Sequence, residues 1–149
     1  MIDLAFRDYG KDDESACLAI FDGNCPEFFA PNEREDYRAF LGASPKGYEV
    51  CLSAGDVVGA FGVFPQLDGA PSLNWILLHP NAQGLGLGSA IMARSSASAR
   101  ALEAAFLRIA ASHKSAPFFE KFGAQRKRFT KHGWGRDMHR VDMELPIER

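Results

Sequence analysis

A glycine-rich turn carries the residues of this sequence best suited to binding an anion. Gly84, Gly86 and Gly88 lie between an apolar run at residues 73–78, which predicts a strand, and a small-residue segment at residues 89–101, which predicts a helix. Backbone N–H groups at the start of a helix have no partner inside it, and the helix dipole makes that end positive. Because glycines let a ligand approach the backbone closely, the turn predicts a phosphate or pyrophosphate site.

The spacing of the turn separates three kinds of phosphate-binding loop. A nucleotide P-loop needs a lysine followed by serine or threonine after its glycines, and none stands here. The dinucleotide fingerprint G-x-G-x-x-G requires glycine where this chain has Ser89, which disfavours a dinucleotide-binding protein. The third pattern, Q/R-x-x-G-x-G/A, is matched in full by Gln83, Gly86 and Gly88.

With this third pattern the chain resembles the GNAT superfamily of acyl-CoA N-acyltransferases, in which such a turn holds the pyrophosphate of coenzyme A. His79 and Pro80 precede the turn, and residues 116–123 are similar to the family's A-x-x-F-Y-x-x-x-G-F segment. The resemblance implies transfer of an acetyl group from acetyl-CoA to a primary amine of a small molecule or peptide, by direct attack in a ternary complex. The alternative is a GNAT-fold protein that binds acyl-CoA and has weak or no catalysis.

The resemblance also assigns the coenzyme contacts. The pantetheine arm would pair with the main chain of the strand before the turn, and the pyrophosphate would lie on the N–H groups of the turn itself. Later residues would add contacts from the strand and short helix that follow. The residues implied are Ile76, Leu77, Leu78, Gln83, Gly84, Leu85, Gly86, Leu87, Gly88, Ser89, Ser112, Phe119 and Lys121.

The acid and base of the reaction are where the chain departs from the family. Phe119 occupies the position of a tyrosine that often protonates the departing thiolate, and residues 73–78 lack the glutamate that many members carry. His113, which follows the strand at residues 105–111, is the first candidate to replace them. His139, in the final hairpin, is the second. The alternative for His113 is a solvent-exposed loop histidine without a catalytic role.

The acceptor pocket is expected between the first two helices and the last hairpin, as the resemblance implies. Six side chains are candidates for its wall: Phe28, Phe29, Tyr37, Trp134, Glu27 and Asp137. The aromatic members are equally explained as core residues.

Hydrophobic periodicity predicts the elements that position these residues. Ile2, Leu4 and Phe6 alternate with polar residues, as in a half-buried strand, and Asn32 with Glu35 forms a capping-box-like pair before a helix. Glycines in the strand at residues 57–64 indicate a bulge or a close ligand approach. The remaining strands are expected at residues 48–53, 73–79, 105–111, 125–130 and 138–145, and helices at 12–22, 32–41, 89–101 and 117–122.

The predicted order is β-α-α-β-β-β-α-β-α-β-β, which periodicity alone supports only as a mixed α/β (α+β) chain. The resemblance implies the GNAT fold, with a mixed, mostly antiparallel sheet of about seven strands flanked by about four helices. We expect residues 1–149 to form a single domain of this kind.

Composition bounds the partners of the chain. The formal net charge of −2 argues against a general nucleic-acid binder. The absence of a long apolar run or a signal-peptide pattern predicts a cytoplasmic protein without membrane contact. Cys17, Cys25 and Cys51 show no metal-ligand spacing, which predicts reduced thiols and no metal. The resemblance is compatible with a homodimer.

Overall fold

The computed structural model of the protein describes residues 3–82 and 86–148. Within these residues the chain forms seven strands and four α-helices, in the predicted order. Ile2, part of the first predicted strand, lies outside the described residues. The elements are β1 (Leu4–Asp8), α1 (Glu14–Gly23), α2 (Glu33–Gly42), β2 (Tyr48–Ser53), β3 (Asp56–Phe64), β4 (Ser72–Leu78), α3 (Leu87–Ala101), β5 (Phe106–Ser112), α4 (Ala116–Glu120), β6 (Gln125–Gly135) and β7 (Met138–Pro146).

All seven described strands form one sheet in the order β1-β2-β3-β4-β5-β7-β6. Neighbouring strands are antiparallel, except that β4 and β5 run parallel. That parallel pair is joined only where Ser72 faces Arg108 and Leu73 faces Ile109. Beyond these residues the two strands separate. The mixed, mostly antiparallel sheet is confirmed, and it is split near its centre.

Helices cover both faces of the sheet because each strand buries side chains on two sides. The larger core cluster joins α3 and α4 to β5 and β7, with Ile91, Leu107 and Val141 at its centre. The second cluster joins α1 and α2 to β2–β4, with Phe21 and Leu77 fully or almost fully buried. The split between β4 and β5 therefore lies in a sheet that is covered by helices on both faces.

A bulge bends β4 just before the split. Ala60 of β3 faces Leu77, whereas Gly62 faces Asn74, so β4 carries one more residue than β3 between these pairs. The expected bulge in β3 is confirmed in its pairing with β2, where Val58 beside Gly59 is the extra residue, and in the pairing of β3 with β4 the extra residue lies on β4. Trp75 lies in this stretch with φ of +49°, a backbone conformation that costs a bulky residue free energy.

Three boundaries differ from the sequence-based prediction. The capping box of Asn32 and Glu35 is wrong, because the Asn32 side chain makes no cap bond and donates to the Trp134 carbonyl oxygen at 2.8 Å. A 3-10 turn precedes α1, so the helix begins at Glu14 instead of the predicted residue 12. Strand β6 continues to Gly135, beyond the predicted residue 130, through a register shift.

Candidate active site

The split between β4 and β5 opens a cavity of about 770 Å³. Its walls come from both strands, the N-terminus of α3, helix α4, the connection between α1 and α2, and Trp134 of β6. The structure brings together every described member of the predicted coenzyme set at this cavity: Ile76, Leu77, Leu78, Gly86, Leu87, Gly88, Ser89, Ser112, Phe119 and Lys121. Gln83, Gly84 and Leu85 lie outside the described residues.

The N-terminus of α3 opens into this cavity. The first helical bond is donated by the Ala90 N–H to the Gly86 carbonyl oxygen at 3.0 Å, so the N–H groups of Leu87, Gly88 and Ser89 precede the helical ladder. Gly86 has φ of +76°, which favours glycine, and a Cβ there would meet open space. The helix end therefore presents to the cavity the positive end of its dipole and N–H groups that have no partner among residues 3–82 and 86–148.

Glycine at position 88 was expected to let a ligand approach the backbone, but the structure gives a packing reason for it. A Cβ on Gly88 would lie 2.7 Å from a ring carbon of Phe118, well inside van der Waals contact. The glycine thus permits the ring of α4 to pack against the start of α3. Close packing of two helices, more than approach of a ligand, accounts for glycine at this position.

Two lysines add positive charge on the same side of the cavity. Lys121 was predicted from the sequence, and it follows α4. Lys114, which sequence reasoning missed, lines the cavity from the exposed turn after β5. In the sequence, the position of Lys114 directly after the candidate residue His113 could have indicated that it lies near the site. Together with the N-terminus of α3, these side chains suit a ligand with several negative charges.

The main chain of β4 offers a donor to the cavity at Leu78. The ladder to β3 uses the next residue, because the His79 N–H donates to the Val58 carbonyl oxygen at 2.8 Å. Bonded and non-bonded pairs alternate along an antiparallel ladder, so the Leu78 peptide groups face away from β3. The Asn24 side-chain amide donates to the Leu78 carbonyl oxygen at 2.9 Å. The Leu78 N–H is thereby left for a ligand.

Buried hydroxyls hold the bulge of β4 from the opposite side. The Tyr48 hydroxyl donates to the Trp75 carbonyl oxygen at 2.6 Å, and it lies 2.8 Å from the hydroxyl of Tyr37. Since the single Tyr48 proton goes to the carbonyl, Tyr37 donates to Tyr48. Burial raises the pKa of Tyr48 well above its ordinary value, so this hydroxyl remains a donor. Gly62, which faces Tyr48 across the ladder, leaves room for the ring of Phe64, which a Cβ there would approach to 2.6 Å.

The expected weak donor Ser112 is engaged within its own turn. The Ser112 hydroxyl contacts the Ser115 hydroxyl at 3.1 Å and accepts from the Ser115 N–H at 3.0 Å. The Ser112 N–H donates to the Ser115 hydroxyl oxygen at 3.0 Å. These bonds fix the turn that leads into α4. Phe119 is 3% exposed and packs edge-on against Phe118, so it contributes shape to the cavity and no proton.

Three histidines form a chain of contacts in the last part of the fold, with His132 on β6, His139 on β7 and His113 in the turn after β5. The Nδ1 atom of His113 accepts the His139 N–H at 3.1 Å, and Nδ1 of His139 accepts the His132 N–H at 2.9 Å. A backbone amide only donates, so both Nδ1 atoms lack a proton and each neutral ring carries its proton on Nε2. Burial, then the nearby rings of His113 and His132, lower the pKa of His139.

The two predicted histidines are therefore in contact with each other, with ring centroids 4.6 Å apart. Neither His113 nor His139 is among the described residues that line the cavity. The catalytic assignment of His113 and His139 stays a prediction. In each neutral ring, Nδ1 is occupied by a backbone N–H, so Nε2–H is the group left to contact a ligand. Nε2–H can only donate a hydrogen bond.

The acidic group at the cavity is Glu33, a residue that sequence reasoning missed. Its side chain starts in the first turn of α2 and the residue is 5% exposed. Glu33 Oε2 accepts the Ala30 N–H at 2.7 Å, and the Glu33 N–H donates to the Ala30 carbonyl oxygen at 2.9 Å. Burial raises the pKa of the Glu33 carboxyl to about 7. The signal in the sequence was an acid beside the predicted pocket residues Phe28 and Phe29.

Of the six side chains expected around the acceptor, three line the cavity. These are Phe28, Phe29 and Trp134. Tyr37 is fully buried in the core behind Trp75. Glu27 and Asp137 are exposed and lie outside the described lining of the cavity.

The far wall of the cavity is closed by a contact between the α1–α2 connection and the final hairpin. Asn32 Nδ2 donates to the Trp134 carbonyl oxygen, and Trp134 Nε1 donates to the Ala111 carbonyl oxygen at 2.9 Å. A Cβ on Gly135 would collide with Oδ1 of Asn32 and approach Ala30 Cβ to 2.8 Å. The hairpin and the connection thus meet at van der Waals distance beside Glu33.

Two further searches of residues 3–82 and 86–148 gave negative results. None of the helices there combines the length and apolar character needed to cross a membrane. In that same part of the chain, no three His, Cys, Asp or Glu residues are arranged to hold a metal ion.

A model of the protein family described as "Acetyltransferase (GNAT) family" matches residues 17–124. A GNAT-family protein from Desulfovibrio desulfuricans is 22% identical with a TM-score of 0.78, covering 98% of this chain and 100% of its own. The ribosomal-protein-S18-alanine N-acetyltransferase from Escherichia coli is 15% identical with a TM-score of 0.78, covering 99% and 96%. The protein yncA from Salmonella typhimurium, solved with its cofactor acetyl-CoA, is 17% identical with a TM-score of 0.72, covering 99% and 95%.

These structural similarities, at identities below 25%, show a shared fold. No curated protein matches the sequence significantly.

Proposed function

Because the chain belongs to the GNAT acetyltransferase family, whose activity in general is acetyl transfer from acetyl-CoA, we propose that it acetylates a primary amine of a small molecule or peptide. The amine would attack the thioester directly while both substrates are bound. The observation that carries the proposal is the cavity in the split sheet, which has free helix N–H donors at one end and an open aromatic pocket at the other.

The anionic part of acetyl-CoA would bind at the N-terminus of α3. The N–H groups of Leu87, Gly88 and Ser89 and the positive helix dipole suit the pyrophosphate, and Lys121 and Lys114 supply counter-charges. The assignment of Gln83, Gly84 and Leu85 to the same phosphate site remains part of this proposal. The geometry of the described residues fits a pyrophosphate because its donors are unpaired within the helix.

The pantetheine arm would run along the open edge of β4. The Leu78 N–H faces the cavity, and Ile76 and Leu77 of the same strand also line it. When bound, acetyl-CoA supplies an activated acetyl thioester. The contribution of the protein is to orient this thioester and the amine, which is worth several orders of magnitude in rate, and to exclude water with the aromatic walls.

The departing coenzyme thiolate needs less help from a proton-transferring residue than the attacking amine does. A thiolate is a good leaving group, so the phenyl ring of Phe119, which cannot donate a proton, is compatible with turnover. His113 and His139 remain candidates for donating a proton through Nε2–H, and Ser112 and Phe119 would shape the passage of the arm. The amine must lose a proton before or during attack.

The alternative function, an acyl-CoA binder with weak or no catalysis, is favoured by two residues. Phe119 replaces the usual acid, and β4 carries no carboxylate. We place either form in the cytoplasm, with acetyl-CoA and an amine as partners and a homodimer as a compatible assembly.

One experiment tests the proposal. Purified protein is mixed with acetyl-CoA and a panel of primary amines, and the released thiol is measured with a chromogenic disulfide. Thiol release that depends on both the amine and the protein supports acetyl transfer. A rise in Tm with acetyl-CoA, but no thiol release with any amine, supports the binding protein instead. Absence of both responses would contradict both functions.

A further inference from the structure

The lining of the cavity contains one carboxylate. Glu33 is the sole acidic residue among the described residues that line the cavity. The lining also includes the aromatic side chains of Phe28, Phe29, Trp75 and Trp134. The cavity thus combines this acid, from α2, with the cationic groups of Lys114 and Lys121, from the two ends of α4.

The two oxygens of Glu33 are in different situations. Oε2 is held by the Ala30 N–H at 2.7 Å, which fixes the carboxyl at the start of α2. Oε1 has no hydrogen-bond partner within the described part of the chain, and Glu33 is among the residues that line the cavity. One oxygen therefore satisfies the helix end, and the other is left to accept a hydrogen bond from a ligand.

Asn24 supplies a second acceptor on the same wall. Its side-chain amide nitrogen donates to the carbonyl oxygens of Ile20 and Leu78, both at 2.9 Å. These bonds direct the amide nitrogen onto main-chain carbonyls, so the Oδ1 atom is the part of this group left to accept. Asn24 thereby links the main chain of β4, where the thioester is proposed to bind, to the wall that contains Glu33.

We propose that Oε1 of Glu33 binds the acceptor amine and takes its proton during acetyl transfer, and that the acceptor is a primary amine on an apolar body without a neighbouring carboxylate. The inference rests on the proposed function and names the base and the substrate class of that site. A second carboxylate beside the amine would face Glu33 at close range in an apolar wall, where like charges repel strongly.

The step balances with groups already named. The lone pair of the neutral amine forms the N–C bond with the thioester carbonyl carbon, and one N–H proton moves to Glu33 Oε1. The C–S bond breaks and its electron pair leaves on the coenzyme sulfur as a thiolate. After the amide departs, the Glu33 carboxyl returns its proton to water. No oxidant, reductant or metal takes part.

Burial supports this role because it sets the basicity of the carboxylate. The raised pKa of Glu33, about 7, makes its carboxylate a far better base than an exposed one near neutral pH. Titratable groups near it are Asp36 on the same helix and Cys25 in the preceding connection, with Lys114 and Lys121 across the cavity. Asp36 acts in the same direction as burial, and the Ala30 N–H acts against it.

Glu33→Gln is the test variant, because the glutamine carbonyl still accepts the Ala30 N–H while the base is lost. Glu35→Gln, on the exposed side of the same helix, is the matched control. The acceptor probe is 2-phenylethylamine at saturating acetyl-CoA, and kcat/KM is measured from pH 5.5 to pH 9. We expect the Glu33 variant to lose about 100-fold or more in kcat/KM, and the control to lose less than about twofold.

The pH dependence of kcat/KM distinguishes a catalytic role of Glu33 from a purely structural role at the start of α2. In the wild type, kcat/KM should rise with pH through a transition near pH 7. This transition should be absent in Glu33→Gln. Retained activity and an unchanged transition in Glu33→Gln would overturn the role of Glu33 and leave acetyl transfer standing. Calorimetry should give the same affinity for acetyl-CoA in both proteins. If the wild type neither binds acetyl-CoA nor acetylates any amine, the proposed function fails and the inference fails with it.

The substrate class is tested with three related amines. We expect 2-phenylethylamine and L-phenylalanine amide to be acetylated, and L-phenylalanine, which adds a carboxylate beside the amine, to react at least about 100-fold more slowly. Equal rates for the acid and the amide would overturn the proposed class. Glu33→Gln should narrow the difference between them, because the repelling charge is removed.

Discussion

The Tyr48 hydroxyl donates a 2.6 Å hydrogen bond to the carbonyl oxygen of Trp75, the residue with positive φ in the bulge of β4. This bond joins the α1–α2 core to the strand edge that faces the cavity. We expect Tyr48→Phe to leave the buried Trp75 carbonyl unpaired and to lower the free energy of unfolding by about 1–3 kcal/mol. Because β4 would relax, kcat/KM should fall by about 10- to 100-fold.

Tyr37→Phe is the control for that change. It removes the bond donated to Tyr48 but leaves the Tyr48 bond to Trp75, so its stability loss should be smaller, about 1 kcal/mol, with activity largely kept. Denaturant unfolding and thiol-release kinetics measure both effects. Equal losses of activity in the two variants would show that the Trp75 contact has no special part in shaping β4.

Gly86 should be required for coenzyme binding beyond its effect on folding. Gly86→Val puts a β-branched residue at φ of +76°, at a cost of about 1–2 kcal/mol or more, and disturbs the N–H groups that begin α3. Gly69→Val is matched, since Gly69 has φ of +88° and equally open surroundings but lies outside the cavity lining. Both variants should lose stability, and only Gly86→Val should lose the rise in Tm with acetyl-CoA.

Glu33 should make the protein less stable as the pH rises from about 4.5 to about 7. Its pKa is raised from 4.5 to about 7 in the folded state, so over this range the folded protein binds more protons than the unfolded chain. The contribution is present at the acidic end and is lost as pH rises through the folded pKa. Tm measured across this range should fall less in Glu33→Gln than in the wild type; parallel curves would contradict the burial of a protonated carboxyl.

His139 should have the opposite effect on the pH dependence of stability. Burial, then nearby His113, lower its pKa below 6.5 in the folded state, so the unfolded chain binds more protons there. Stability is therefore lost as pH falls below about 6.5. His139→Asn keeps an acceptor near the position of Nδ1 and should weaken this acid-side loss of Tm. Unchanged acid sensitivity would show that the ring titrates freely.

Gly135 should control acceptor binding without affecting the coenzyme. Gly135→Ala forces a Cβ against Asn32 and Ala30, which should cost about 1–3 kcal/mol and push the hairpin away from the α1–α2 connection. We expect KM for the amine to rise about tenfold and the acetyl-CoA affinity to stay constant. Gly42→Ala, where a Cβ meets nothing within 4 Å, is the neutral control. A change confined to acetyl-CoA affinity would contradict this placement of the acceptor.

The sequence predicted the order of elements, and it selected residues that meet at one cavity, because both follow from local patterns. Alternation identified the strands, and the spacing of Gln83, Gly86 and Gly88 pointed to the turn before α3. Glu33 was missed because its burial depends on a bond to Ala30 and on the packing of the hairpin, neither of which has a sequence period. Asn24 was missed for a similar reason, since its partner Leu78 is distant in the chain.

The catalytic assignment of the two histidines stays a prediction, and their contacts could not be predicted from residue type. His113 and His139 were selected because imidazole titrates near neutral pH and because they follow strands near the site. Their Nδ1 atoms instead accept main-chain N–H groups from neighbouring strand residues. Such pairing depends on register between β5, β6 and β7, and register was not available from periodicity alone.

The separation of β4 from β5 has a consequence for behaviour in solution, because it places two strand edges inside the sheet. Uncovered edges pair with strands of other molecules and promote aggregation. Asn24 covers the Leu78 carbonyl on one edge, and Ser115 covers the N–H and carbonyl of Ser112 on the other. These two short polar side chains therefore occupy main-chain groups at which a strand of another molecule could otherwise pair.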